Sequence, residues 1–173
     1  MEYIDIFDEN NNPTEIIKEK EQAHSEGDFH RSVHIWIINN KKEILLQRRS
    51  PNKKNHPNKW DNSSAGHIRT GESLIGGAKR EAYEELGIDI DENKLEFIGI
   101  NKSDKPHNKE FQYIYLYRTN KVESDYTFND GEVSYVKYIP YVEFEKMVKT
   151  KSDDFHYTTK EEYDMLMEYI EKM

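Results

Sequence analysis

The sequence predicts a mixed α+β domain of the α/β/α layered type, with helices on both sides of a central mixed sheet. Three observations carry this expectation. Runs rich in Val, Ile and Trp are bounded by polar turns, one helical segment brings its own caps, and an amphipathic C-terminal stretch follows a capping pattern.

Glu2 to Phe7 alternates weakly and reads as a first strand. Thr14 to Gly27 is charged and reads as partly helical. Ser32 to Ile38 is β-rich, Asn39-Asn40-Lys41-Lys42 is a polar turn and Glu43 to Gln47 is the return strand of a hairpin. Ser50 to Asn58 contains Pro51 and Pro57 and reads as loop. Ser73 to Leu86 reads as helix, with Ser73 as N-cap and Gly87 as the residue beyond the last turn. Leu74, Ala78, Ala82 and Leu86 form its narrow apolar stripe, although Gly76 and Gly77 weaken it by roughly 1 kcal/mol each against alanine. Leu95 to Ile100, Phe111 to Tyr117 and Val133 to Ile139 read as strands, and Tyr141 to Val148 as a short helix. The C-terminal helix, about 159–173, opens on Thr159-x-x-Glu162, a capping-box pattern, and Tyr163, Leu166, Met167 and Ile170 mark its apolar face. Tyr113, Tyr115 and Tyr117 alternate along one strand. With Trp36 and Trp60 they suit either packing or stacking on a ligand, and packing is the commoner use of strand aromatics.

No repeat, low-complexity tract or linker divides residues 1–173, so a single domain is expected. The absence of cysteine excludes disulfides, thiolate metal sites and cysteine nucleophiles. Met1 to Glu15 carries five acidic residues and no apolar run, which argues against a targeting peptide. No stretch approaches membrane-spanning length, and the cytoplasm is the expected location. A net charge of −9 argues against a nucleic acid polymer as partner. The same charge would repel an anionic substrate unless divalent cations intervene. Lys41 to Lys59 runs against the trend, with seven Lys or Arg and one acid, Glu43. That loop reads either as solvated surface or as a phosphate-facing rim. The sequence leaves the oligomeric state open.

The chemistry concentrates in Gly66 to Ile88. Glu81, Glu84 and Glu85 fall at i, i+3 and i+4, on one helical face, where like charges destabilise an isolated helix. Taken on spacing alone, this suits a solvated acidic face as well as a site for hard divalent ions such as Mg2+ or Mn2+. Arg80 and Glu72 can offset part of the charge, and Gly66 and Gly71 let the preceding loop turn tightly.

This segment resembles the Nudix box, G-x5-E-x7-R-E-U-x-E-E-x-G-U with U apolar. Gly66, Glu72, Arg80, Glu81, Glu84, Glu85 and Gly87 match every fixed position, and Ala82 and Ile88 fill the U positions. The order of elements from about Arg31 to Val148 also resembles the Nudix fold. The resemblance implies hydrolysis of a diphosphate linked to a group X, with Mg2+ or Mn2+ bound by the Gly66 carbonyl and by Glu81, Glu84 and Glu85. It implies that Glu72 and Arg80 hold loop to helix. Glu81 is the first choice for general base, with Glu132 and Glu110 in reserve.

A second resemblance, from Ala23 to Glu72, is to type 1 isopentenyl-diphosphate isomerase, a Nudix relative. It rests on Ala23-His24, His30, Leu45-Leu46-Gln47-Arg48-Arg49, Lys53-Lys54, Pro57, Trp60, Asn62-Ser63 and Gly66-His67. It implies a further metal site at His24, His30, His67 and Glu110, and a basic substrate grip by Arg48, Arg49 and Lys53. The His24-to-His30 spacing is one residue shorter than in that family, and Ala65 stands where the isomerase needs a cysteine. The expected function is therefore hydrolysis of a small-molecule diphosphate. An isomerase-like enzyme and a non-catalytic nucleotide-diphosphate sensor are the alternatives, and group X stays open.

Overall fold

A computed structural model of the chain describes every residue except 157. Nine strands and four helices are present among the described residues: β1 (Tyr3–Phe7), β2 (Pro13–Glu19), α1 (Lys20–Glu26), β3 (His30–Ile38), β4 (Glu43–Arg49), β5 (Trp60–Asp61), β6 (Ser64–His67), α2 (Leu74–Leu86), β7 (Leu95–Lys105), β8 (Asn108–Arg118), β9 (Val133–Pro140), α3 (Tyr141–Lys149) and α4 (Lys160–Glu171). The main sheet is seven-stranded, ordered β5-β4-β3-β8-β7, with β6 paired to β3 and β9 paired to β4. The β3–β8 ladder is parallel and the other pairings are antiparallel, so the sheet is mixed as expected.

Strand alternation divides the core between the two faces. Val33, Ile35 and Ile37 of β3 pack with Ala78, Ala82 and Leu86 of α2. Trp36 and Ile38 pack with Phe144 of α3 and Leu166, Met167 and Ile170 of α4. Tyr113, Tyr115 and Tyr117 are buried in the α2-side core and serve packing. Trp36 is buried edge-on to Phe144 on the other side, at 5.2 Å.

The caps of α2 fall where expected: Ser73 Oγ accepts the Gly76 N–H at 3.0 Å, and Gly87 closes the helix at φ 66°. Three expectations are met only in part. The segment Thr14 to Gly27 is only half helical, because β1 offers its edge and recruits Pro13–Glu19 as β2, leaving α1 barely two turns. The β3–β4 hairpin is paired only at Ile37↔Leu45 and Ile38↔Ile44. Beyond these, β6 takes the β3 edge and β9 takes β4. The capping box at Thr159 is half made. Thr159 Oγ1 accepts the Glu162 N–H at 3.2 Å, but the Glu162 carboxylate turns inward to His34 and Trp36. No helix among the described residues is long and apolar enough to cross a membrane.

Candidate active site

Helix α2 lies along β6, and the loop between them wraps around Arg80. The guanidinium holds Glu72 in a bidentate pair at 2.8 and 2.9 Å and donates to the His67 carbonyl at 2.8 Å. Its remaining Nη1 reaches Glu81 at 2.5 Å and Glu84 at 3.1 Å. Glu72 also accepts the Arg69 N–H at 3.1 Å, and Arg69 reaches Glu84 at 3.3 Å. One arginine thus fixes loop to helix and aims two of the three carboxylates, as planar five-donor geometry permits. Four carboxylates face two guanidiniums here, so negative charge remains in excess.

The three glutamates sit in different surroundings. Glu84 is half exposed, Glu81 is 13% exposed at its side chain, and Glu85 is buried. Glu85 accepts from Gln47 Nε2 and from the Ala65 N–H, both at 3.1 Å. Burial pushes its carboxyl up to about 8, helped by the charge of Glu81. Burial also raises Glu81; Arg80 opposes that rise and Glu84 adds to it.

Gly66 is the close approach in the site. A Cβ there would lie 2.0 Å from Glu81 Cδ and Oε1. The Glu81 carboxylate therefore rests on the backbone of β6, in the space that a side chain at this position would take. Oxygen donors alone, an excess of negative charge and a buried carboxyl held away from its charged form together fit a hard divalent cation.

A second cluster forms around the other side of β6. His24 of α1, His30 of β3, His67 of β6 and Glu110 of β8 bring four ligand atoms within 4.8 Å of one another. His24 Nε2 and His67 Nε2 are 3.2 Å apart, and Glu110 Oε1 lies 3.7 Å from His30 Nε2 and 3.6 Å from His67 Nε2. The Asp28 carbonyl takes the Nδ1 proton of His30 at 3.0 Å, and its buried Nε2 has no hydrogen-bond partner among the described residues. Ser32 Oγ supports Glu110 at 2.7 Å. Burial and the neighbouring imidazoles lower His24 to about 4. Burial opposes ionisation of Glu110, yet His30 and His67 hold it well below the usual carboxylate range. Three imidazoles beside a carboxylate, with one buried ring nitrogen unmatched, fit a divalent transition metal.

The basic rim is present but internally paired. Arg48 meets Asp154 at 2.6 Å, Arg49 meets Asp61 at 2.7 Å, and Lys53 pairs with Glu132. Arg49 also donates to the Asn55 and His56 carbonyls, so it shapes the loop that carries it. Glu132 reaches the same loop through its carbonyl, which accepts the Ser50 N–H at 2.8 Å.

A layered domain with a helix-borne carboxylate cluster seated on a glycine of the neighbouring strand is the arrangement that the resemblance in residues 66–88 implies. The NUDIX domain model matches residues 28–162, and the chain belongs to the Nudix family. It is 38% identical to an uncharacterized Nudix hydrolase of Clostridium acetobutylicum, over 88% of this chain and 76% of that protein. It is 34% identical to Nudix hydrolase 3 of Arabidopsis thaliana over 98% of this chain, but spans only 23% of that protein's length. The isopentenyl-diphosphate Delta-isomerase of Pectobacterium atrosepticum matches at 36% identity, over 48% of this chain and 46% of its own. Both resemblances read from the sequence are thus found among its relatives. Among solved structures, DR0079 of Deinococcus radiodurans shares the fold, with a TM-score of 0.75, 21% identity, and coverage of 96% of this chain and 98% of that one.

One residue of interest escaped the sequence reading. His34 lies next to the histidine cluster, paired with Glu162. A histidine between Val33 and Ile35 in an apolar strand, on the face shared with Trp36, was the available signal.

Proposed function

We propose that the chain is a divalent-metal-dependent hydrolase that cleaves a diphosphate linkage in a nucleoside diphosphate linked to X, or in a similar organic diphosphate, by attack of water on phosphorus. The observation that supports this most directly is Arg80, which ties Glu72, Glu81, Glu84 and the His67 carbonyl into one constellation over Gly66. The Gly66 carbonyl with Glu81, Glu84 and Glu85 would hold Mg2+ or Mn2+. Bound there, the ion would polarise phosphoryl oxygens and offset the charge of the leaving phosphate. Glu81 is the base of choice. Its burial raises its proton affinity, and Arg80 holds the carboxylate in place to take a proton from water. Glu132, paired with Lys53, is the reserve. Arg48, Arg49 and Lys53 would grip the distal phosphate, exchanging their present partners for it. His24, His30, His67 and Glu110 would hold a second ion of softer preference.

The assembled histidine cluster also favours an isomerase reading, but Ala65 has no proton to give or take in place of the thiol. One experiment separates the two readings. The protein is incubated with magnesium and a panel of nucleoside diphosphate derivatives, isoprenyl diphosphates and thiamine-type diphosphates, and phosphate and pyrophosphate release are followed. Hydrolysis that stops in excess chelator is expected. Dimethylallyl diphosphate formed from isopentenyl diphosphate at an enzymatic rate would overturn the reading, and full turnover in chelator would remove the metal from it.

A further inference from the structure

Strand β1 passes beside the α2 carboxylates. Ile4 and Arg69 form an isolated antiparallel bridge, and the Thr70 N–H donates to the Tyr3 carbonyl at 2.9 Å. So short a pairing holds β1 against the loop that leaves β6 without closing the space beside it. An open cleft of about 510 Å³ results, lined by Met1, Glu2, Tyr3, Arg69 and Thr70. The cleft adjoins the glutamates. Arg69 Nη2 lies 3.3 and 3.4 Å from the two Glu84 carboxylate oxygens, and the charge of Glu2 reaches Glu81.

Two guanidiniums meet Glu84, and they are committed to different degrees. Every nitrogen of Arg80 is engaged, with Glu72, Glu81, Glu84 or the His67 carbonyl, which leaves no donor for a ligand. Arg69 is looser. Its Nε and Nη1 have no hydrogen-bond partner among the described residues, its bonds to Glu84 are long, and 44% of the side chain is exposed. An exposed pair of that length contributes little to stability. Arg69 can therefore turn its planar set of donors to an anion lodged beside Glu84. The basic rim meets the carboxylates elsewhere, since Glu132, the partner of Lys53, acts with its charge on Glu85. A diphosphate gripped by the rim at its distal phosphate would thus present its other phosphate, and with it group X, to Arg69 and the cleft.

The walls of the cleft describe what X must be. Tyr3 is 50% exposed and offers an aromatic surface on which a planar ring can stack. Glu2 adds acceptor oxygens for hydroxyl groups, and Lys20 at 3.0 Å offsets its charge. A flat base carried on a sugar answers both features. We propose that this cleft is the site of group X and that X is a nucleoside, with its base stacked on Tyr3 and the phosphate next to it held by Arg69. This rests on the hydrolase reading for the diphosphate and adds to it the class of X.

The test measures binding without turnover, on the full chain with magnesium. It uses two probes that water cannot cleave between the phosphorus atoms: ADP with a methylene bridge between its phosphates, and methylenediphosphonate, which has the same bridge and no nucleoside. Tyr3→Leu is expected to weaken the bridged ADP about fivefold or more, the size of one lost base–aromatic stack, and to leave methylenediphosphonate unchanged. Arg69→Gln is expected to weaken both probes about tenfold or more, at saturating magnesium as well as below it, as the loss of a charge-assisted bond requires. Both side chains are exposed, so melting temperatures are expected to stay within about 2 °C of wild type. Equal weakening of the two probes by Tyr3→Leu, or none, would remove the nucleoside from the cleft. A loss in Arg69→Gln that vanishes at saturating magnesium would reduce Arg69 to a support for Glu84. Either result overturns the proposal, and so does a wild type that binds the bridged ADP no more tightly than methylenediphosphonate. The hydrolase reading is judged separately, by turnover of the substrate panel.

Discussion

Gly66→Ala isolates the placement of Glu81 from everything else in the site. Gly66 lies in β6 outside the left-handed backbone region, so alanine meets no conformational penalty there. Its Cβ would lie 2.0 Å from Glu81 Cδ and Oε1 and 2.5 Å from Oε2, where ordinary contact begins at 3.4 Å. The carboxylate must retreat by well over ~1 Å. It is the far end of a flexible side chain, so the retreat is easy and mainly sacrifices the bond to Arg80. Such a bond contributes on the order of 1 kcal/mol, or about 2–4 °C of melting temperature for a chain of this size. A misplacement of about 1 Å in catalytic machinery costs about 100-fold in rate. The expected result is therefore a protein nearly as stable as wild type with kcat down about 100-fold, read by thermal melts and by steady-state kinetics with saturating magnesium. Wild-type turnover would remove Glu81 from the machinery. A melting temperature lower by about 10 °C or more would mean that the strand, not the carboxylate, had yielded.

Glu84→Gln and Glu85→Gln are each expected to cut turnover by about 100-fold or more if metal-borne charge stabilisation supplies several kcal/mol. Wild-type rates in both would remove these two carboxylates from the catalytic machinery. Arg49→Ala and Lys53→Ala are expected to raise KM more than they lower kcat, and unchanged kinetics in both would confine them to their bonds with Asp61 and Glu132. His34 sits above its ordinary value when folded, so its stabilisation is full below about 6.5 and drains as pH rises through about 9. Glu162 is lowered, chiefly by His34 against the opposing effect of burial, so its share holds above about 4.5 and is lost in acid. Melting temperature should accordingly decline from pH 6.5 to 9, and the His34→Gln/Glu162→Gln double variant should flatten that decline; parallel curves would contradict the assignment.

The helix bearing the glutamates was legible because its signals are local: Ser73, Gly87 and a stripe at four-residue spacing act within a few turns. Tertiary partners decided what the sequence left unread. Segment 13–19 is a strand because β1 pairs with it, and β6 forms from Ser, Ala, Gly and His because β3 offers an edge. Glu162 has the spacing of a capping box, yet a half-buried imidazole and an indole hold its carboxylate away from the helix terminus. The excess of positive charge from Lys41 to Lys59 was visible, but Asp61, Glu132 and Asp154, which pair with Arg49, Lys53 and Arg48, come from elsewhere in the chain. The histidine cluster draws on four separate elements. Spacing alone could not assemble it, and the resemblance to isomerases pointed to the same residues.

The four residues of β6 hold two centres in a fixed phase. Gly66 lies under Glu81 on one side, and His67 points into the histidine cluster on the other. Because successive strand residues face opposite ways, a one-residue slip would send the imidazole into the carboxylates and the bare backbone into the imidazoles. The Arg80 bond to the His67 carbonyl pins that register from the helix. A single deletion within this strand should therefore disrupt both clusters at once.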